Sequence, residues 1–218
     1  MTIKNSLDYD WKNNHSTPKI VNKIIKILKK LKSLQNLTHV DIGCGNGEIT
    51  KKICHFFKNT IAVDLSKDAI TFAKKNNFKN IKFLHSSMDY FINQNKKFNF
   101  VSVIEVIEHQ YDPFIFLHKL CKITCKNGYV LITTPYHGYL KNILISLIGC
   151  MDRHFTALWK HGHIKFFSVK TLKELVLTKK FKSNGKILKY NFEIESIHFA
   201  GRFYPLSRSM IFLLRKKK

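Results

Sequence analysis

The chain has 218 residues, 44% of them apolar, and a formal net charge of +24. Its length suits one large domain spanning 1–218, its start MTIKNSLDYD lacks the apolar run of a secretory signal, and its longest apolar stretch, ILISLIGCM at 143–151, falls short of the roughly 20 residues that cross a bilayer. The five cysteines are scattered without a CxxC pair, as expected of reduced thiols in a cytoplasmic protein.

Of the 38 basic residues, 34 are Lys and four are Arg. A charge this large attracts nucleic acid or anionic membranes, whereas a lysine-rich, A/T-biased codon usage produces it without any partner. The scarcity of Arg, the residue suited to bidentate phosphate recognition, favours the second reading.

In chain order, STPKIVNKIIKILKKL predicts a helix with a Ser16/Thr17 cap, Pro18 in its first turn and a stripe of Ile20, Ile24, Ile27, Leu28 and Leu31. THVDIG follows as a strand, GEITKKICHFF as a helix, TIAVDL as a strand and SKDAITFAKKN as a helix capped by Ser66. NIKFLH and FNFVSVI read as strands, DPFIFLHKLCKIT as a helix, GYVLITTP as a strand and VKTLKELVLTKK as a helix. Two strands close the chain, near NFEIESIHFA and SMIFLLRK. Apolar strands alternating with helices predict an α/β, Rossmann-like doubly wound sheet of seven strands, mostly parallel. The last two strands have no helix between them and should form an antiparallel hairpin at one edge.

HVDIGCGNGEI places Gly43, Gly45 and Gly47 between the first strand and the next helix, at the strand end where open α/β sheets bind ligands. The spacing is G-x-G-x-G, and Glu48 opens the helix where a pyrophosphate would want bare N–H groups. Asp41 adds a second carboxylate, so a ligand carrying an ammonium fits better than one carrying phosphate. Asp64 ends the second strand, the usual position of a carboxylate that accepts ribose hydroxyls.

Asp41-x-Gly43-x-Gly45-x-Gly47 followed by Asp64 resembles the first two motifs of class I S-adenosylmethionine-dependent methyltransferases, and the strand–helix order is similar from about residue 20 onward. The resemblance implies S-adenosylmethionine as cofactor. It implies that Asp41 and the loop Gly43, Cys44, Gly45 and Gly47 hold the methionine part, that Asp64 holds the ribose, and that adenine lies against Leu65, Ser87 and Met88. Relatives often carry an Asp in that last loop, where HSSMDY offers Ser86 and Ser87.

FVSVIEVIEHQYDPF, residues 100–114, ends an apolar strand in Glu105, Glu108 and His109. If the chain turns helical there, the three share a face at i, i+3 and i+4. A divalent cation would reconcile two carboxylates with an imidazole, and a solvated acidic face paired with lysines would serve as well. EVIEHQYDP resembles the matching segment of the ubiquinone-biosynthesis O-methyltransferases, the most similar branch, and of the small-RNA 2′-O-methyltransferases. In the latter, Glu-x-x-Glu-His and a distant His bind a divalent ion. That resemblance implies a Mg²⁺, Mn²⁺ or Zn²⁺ site of Glu105, Glu108, His109 and His163, with His163 a better match than His161. It also implies that Glu105 reaches the cofactor and that Glu105 and His109 are catalytic, His109 as general base where no metal is used.

The stretch 136–165 is an insert with an apolar stripe of Tyr139, Leu140, Ile143, Leu144, Leu147 and Ile148, followed by Phe155, Leu158 and Trp159. It reads either as a helix packed on the sheet or as a lid over a lipophilic acceptor, in contact through 138–160 with the inner face of a membrane. Residues 1–36 form a helical cover, with Trp11 over the cofactor or simply packed. The expected activity is O-methylation of a small or lipophilic, ubiquinone-precursor-like hydroxyl acceptor. Small-RNA 2′-O-methylation and a non-catalytic cofactor-binding protein are the alternatives.

Overall fold

A computed structural model describes residues 18–75, 78, 80–155, 162–201 and 203–217. The expected Ser16/Thr17 cap, the Trp11 cover, Leu158, Trp159 and His161 lie outside the described residues.

Helix α1 (Pro18–Leu28) buries Ile20, Val21, Ile24, Ile27 and Leu28, the stripe read from its 3.6-residue period. Then come β1 (Thr38–Ile42), α2 (Glu48–Ile53), β2 (Asn59–Asp64), α3 (Lys67–Lys74), β3 (Ile81–His85), α4 (Met88–Asn93), β4 (Phe98–Ile104), α5 (Pro113–Ile123) and β5 (Thr124–Pro135). Two short helices, α6 (Tyr139–Leu147) and α7 (Met151–Phe155), precede α8 (Val169–Leu177). The chain closes with β6 (Lys180–Ser183), β7 (Lys186–Lys189), β8 (Phe192–Ala200) and β9 (Ser209–Lys216).

Seven strands form one sheet in the order β3-β2-β1-β4-β5-β9-β8. The first five are mutually parallel, and β9 runs antiparallel to both β5 and β8. The α/β doubly wound fold and the antiparallel C-terminal pair are therefore as the sequence predicts. Alternation along the strands sends Val40, Val101, Val103, Val130 and Ile132 to the face covered by α4, α5 and α8. Phe100, Leu131, Ile211 and Leu213 go to the face covered by α1 and α2.

Three local readings are corrected. The helix after the glycine loop stops at Ile53 and continues as a 3-10 turn over Cys54–Phe56. The chain after β4 is not helical from Glu105: that residue is left-handed (φ 54°), and a 3-10 turn covers Ile107–His109. KFKSNGKILK, given no strand from sequence, forms the separate β6–β7 hairpin, turning at Asn184 (φ 47°) and Gly185 (φ 74°).

Candidate active site

The carboxyl ends of β1, β2 and β4 carry the expected loop. Gly43, Gly45 and Gly47 all have positive φ (73°, 54° and 75°). A Cβ on Gly43 would stand 2.5 Å from Val106 Cγ2, and one on Gly47 2.7 Å from the Phe83 ring, so glycine is required by conformation and by space. Gly43 and Cys44 N–H both donate to the Val63 carbonyl, at 2.8 and 3.0 Å, tying the loop to β2. Asp64, at the end of β2, receives Gly45 N–H on Oδ2 and Ser66 N–H on Oδ1, each at 2.8 Å. Each oxygen keeps a second lone pair, so the carboxylate is oriented without being exhausted.

A cavity of about 340 Å³ opens over this corner, lined among others by Gly43, Asp64, Leu65, Ser86, Ser87, Met88 and Val106. Leu65 is 76% exposed at its mouth. The expected adenine and ribose neighbours thus face one hollow. Its far wall, Asp89, Gln110, Asp112, Ile115 and Lys119, was not read from the sequence. Asp89 supplies a carboxylate two residues beyond Ser87, ion-paired with Lys119 at 2.7 Å; the signal was present in HSSMDY two residues late.

Asp41 does not line this cavity. It is 2% exposed, beneath the loop, where Thr50 Oγ1 donates to Oδ2 and Ser102 Oγ to Oδ1, the latter at 2.6 Å. Because Ser102 spends its proton on Asp41, it accepts from His39 Nε2–H (2.8 Å), which leaves His39 Nδ1 to accept from the Thr60 hydroxyl (3.2 Å). Burial raises the Asp41 pKa to about 6 against the pull of those two hydroxyls, and burial lowers that of His39 to about 3.

The second half of the site is built around β4 and β5. Glu105 N–H donates to the Thr133 carbonyl (3.2 Å) and hydroxyl (3.0 Å), and Thr133 Oγ1 returns a bond to Glu105 Oε1 at 2.7 Å. Glu108 is fully buried, and neither carboxylate oxygen makes a hydrogen bond among the described residues. Its own carbonyl accepts from Ile164 and Lys165 N–H, at 3.0 and 2.9 Å, which pins the segment bearing His163 against the corner. His163 Nε2 lies 4.0 Å from Glu108 Oε1, and the His109 and His163 rings meet edge to face, with centroids 5.0 Å apart. His109 Nδ1 is 3.2 Å from the Gly162 carbonyl, to which it can donate.

One donor atom from each of Glu108, His109 and His163 falls within 4.8 Å of the other two. A fully buried carboxylate beside two imidazoles fits a divalent cation, and a Glu/His/His set suits Zn²⁺ or Mn²⁺. Glu105 is not part of this group; its carboxylate accepts from the Thr133 hydroxyl. Burial raises the pKa of both carboxylates, Glu108 further through the charge of Glu105, whereas the hydroxyls of Thr133 and Ser209 and the charge of Lys141 draw Glu105 down. Lys141, in the first turn of α6, is 8% exposed; burial and Arg208 lower its pKa to about 8, against Glu105. Nothing in the sequence marks it among 34 lysines.

A Rossmann-like sheet in this order, with a glycine loop of positive φ and a carboxylate at the next strand end, is the architecture expected of class I S-adenosylmethionine-dependent methyltransferases. The model of one family in that class, described as a methyltransferase domain, matches residues 14–181, and the chain belongs to that family. Among curated relatives, a ubiquinone biosynthesis O-methyltransferase of Pelagibacter ubique is 31% identical over 130 residues, covering 58% of this chain and 53% of that protein. One of Hydrogenovibrio crunogenus is 25% identical over 146 residues, covering 65% and 61%. The chain thus spans only somewhat more than half the length of these relatives. Among solved structures, magnesium protoporphyrin IX methyltransferase from Synechocystis PCC 6803 with bound SAH superimposes with a TM-score of 0.67 at 12% identity, covering 91% of this chain and 83% of that one. At that identity the likeness concerns the fold alone.

Proposed function

We propose that the acceptor is a hydroxyl oxygen on a small lipophilic molecule and that a divalent cation held by Glu108, His109 and His163 assists the transfer. The observation that carries this reading is the buried Glu108 carboxylate, without a hydrogen bond among the described residues and faced by two imidazoles. The relatives that are ubiquinone biosynthesis O-methyltransferases support it.

In this reading Asp64 accepts the ribose hydroxyls, and the glycine loop, too narrow for any side chain, lets the backbone approach the methionine part. Bound here, S-adenosylmethionine supplies a methyl carbon activated by its sulfonium. The acceptor oxygen forms a bond to that carbon as the carbon–sulfur bond breaks, S-adenosylhomocysteine leaves, and the hydroxyl proton passes to water. The cation, when bound, supplies Lewis acidity that lowers the hydroxyl pKa. Glu105, anchored by Thr133, and Lys141 place one negative and one positive group beside that oxygen.

Exposed Tyr139, Leu147 and Ile148 on α6, with Phe203, Tyr204 and Leu206 on the neighbouring turn, support a lipophilic acceptor and peripheral contact with the inner face of a membrane. No helix among the described residues is long and apolar enough to cross a membrane. The test is to incubate the protein with methyl-tritiated S-adenosylmethionine and a cell extract and to separate organic-soluble from RNA fractions. Label in the organic fraction, abolished by chelator and by Glu108→Gln, is the expected result. Label in RNA would move the acceptor to a ribose hydroxyl, and label indifferent to both treatments would remove the metal.

A further inference from the structure

At the amino ends of β4 and β5, where α4 and α5 end, and so at the opposite end of the strands from the glycine loop, a second cavity of about 400 Å³ opens. Five of its ten lining residues are lysines, His118 is a further basic group, and none is acidic. The fold explains part of this. Lys216 Nζ donates to the carbonyls of Cys121 and Thr124 (2.6 and 2.7 Å), closing the end of α5, and Lys96 lies over the Phe98 ring at 5.6 Å.

Lys97, Lys122 and Lys189 have no such task. They come from three separate elements, are exposed, and their ammonium groups make no hydrogen bond or ion pair among the described residues. Like charges gathered around one concavity repel unless an anion occupies it. The base of the hollow is apolar, with Phe91, Ile92 and Cys121.

We propose that this cavity is a second ligand site, for a compact organic polyphosphate of about nucleoside-diphosphate size. Its volume lies in the range of small-molecule sites, several cations converge on it from different directions, and the apolar base suits the organic part. Lysine serves as a point charge toward phosphate where arginine would fork. A nucleic-acid strand spreads one charge per nucleotide along its length and matches a compact cluster of cations less well than two adjacent phosphates do. No residue of this cavity lines the one at the glycine loop, so the site stands apart from the methyl-transfer reading.

The test is calorimetric titration of the full chain with ADP, pyrophosphate and adenosine, with S-adenosylhomocysteine saturating the first cavity. Two triple variants are compared, both at exposed positions and both removing three charges: Lys97→Ser/Lys122→Ser/Lys189→Ser at the cavity, and Lys67→Ser/Lys74→Ser/Lys82→Ser on α3 and β3. Circular dichroism verifies the fold of each. ADP and pyrophosphate should bind saturably and adenosine should not; the cavity variant should lose at least tenfold in affinity and the control less than threefold. Absence of saturable binding, or equal losses in both variants, would overturn the site in favour of diffuse charge attraction. A 20-nucleotide RNA whose binding falls more than that of ADP in the cavity variant would overturn it in favour of nucleic acid.

Discussion

Gly43 shows how much of the site rests on single residues. Its φ of 73° and the 2.5 Å approach of Val106 to any added Cβ leave no room for alanine. Gly43→Ala should cost about 1–3 kcal/mol in stability, as other residues forced into rare backbone regions do, and should weaken S-adenosylhomocysteine binding at least tenfold by lifting the loop from β2. Urea unfolding and calorimetry check both; unchanged affinity would detach the loop from cofactor binding. The loop was legible from sequence because its signal is local: three glycines at alternate positions between a strand and a helix. The fate of Asp41 was not. Its spacing is that of a ligand-facing acid, and only the three-dimensional pairing of β1 with β4 and α2 brings Ser102 and Thr50 to its two oxygens. Glu105 misled for a related reason. A helical continuation would have aligned it with Glu108 and His109, and its left-handed backbone, set by two bonds to Thr133, cannot be read from EVIEH.

Between elements, the chain Thr60–His39–Ser102–Asp41–Thr50 joins β2, β1, β4 and α2 through a buried polar line. Its two titratable members, His39 and Asp41, oppose one another. From about pH 4 to 6 folded Asp41 holds a proton that the unfolded chain has released, so acidification stabilises through it. From about pH 3 to 6.5 the unfolded chain protonates His39 and the folded one does not, so acidification destabilises through it. One proton of difference is worth about 1.4 kcal/mol per pH unit, and between pH 4 and 6 the two contributions cancel. Asp41→Asn should therefore lose stability on acidification more steeply than wild type by about that slope, and His39→Gln less steeply by the same amount. Urea unfolding at pH 4.5, 5.5 and 6.5 measures this, and parallel profiles for all three proteins would contradict it. Element types were legible wherever a strand was apolar on both faces or a helix had a clear stripe. β6 and β7 were not, because KFKSNGKILK forms a half-exposed hairpin whose lysines hide the alternation and whose Asn184–Gly185 turn is its one strong signal.

On the scale of the whole molecule, the apolar stripe of the insert was legible but its direction was not. Tyr139, Leu147 and Ile148 are 84%, 76% and 68% exposed, and the buried side chain of α6 is Lys141. A chain of net charge +24 with such a surface should sediment with vesicles containing anionic lipid. Leu147→Asp/Ile148→Asp should reduce the bound fraction severalfold, and equal sedimentation of the variant would assign the binding to charge alone.

The central claim is that Glu108, His109 and His163 form a cation site serving methyl transfer. Its most direct test is calorimetric titration of the chelator-treated protein with Zn²⁺ and Mn²⁺, in wild type and in Glu108→Gln. Wild type should take up one equivalent, and the variant should bind at least a hundredfold more weakly while keeping its affinity for S-adenosylhomocysteine. No saturable uptake by wild type, or equal uptake by the variant, would contradict the claim and leave Glu108 a buried acid without a metal.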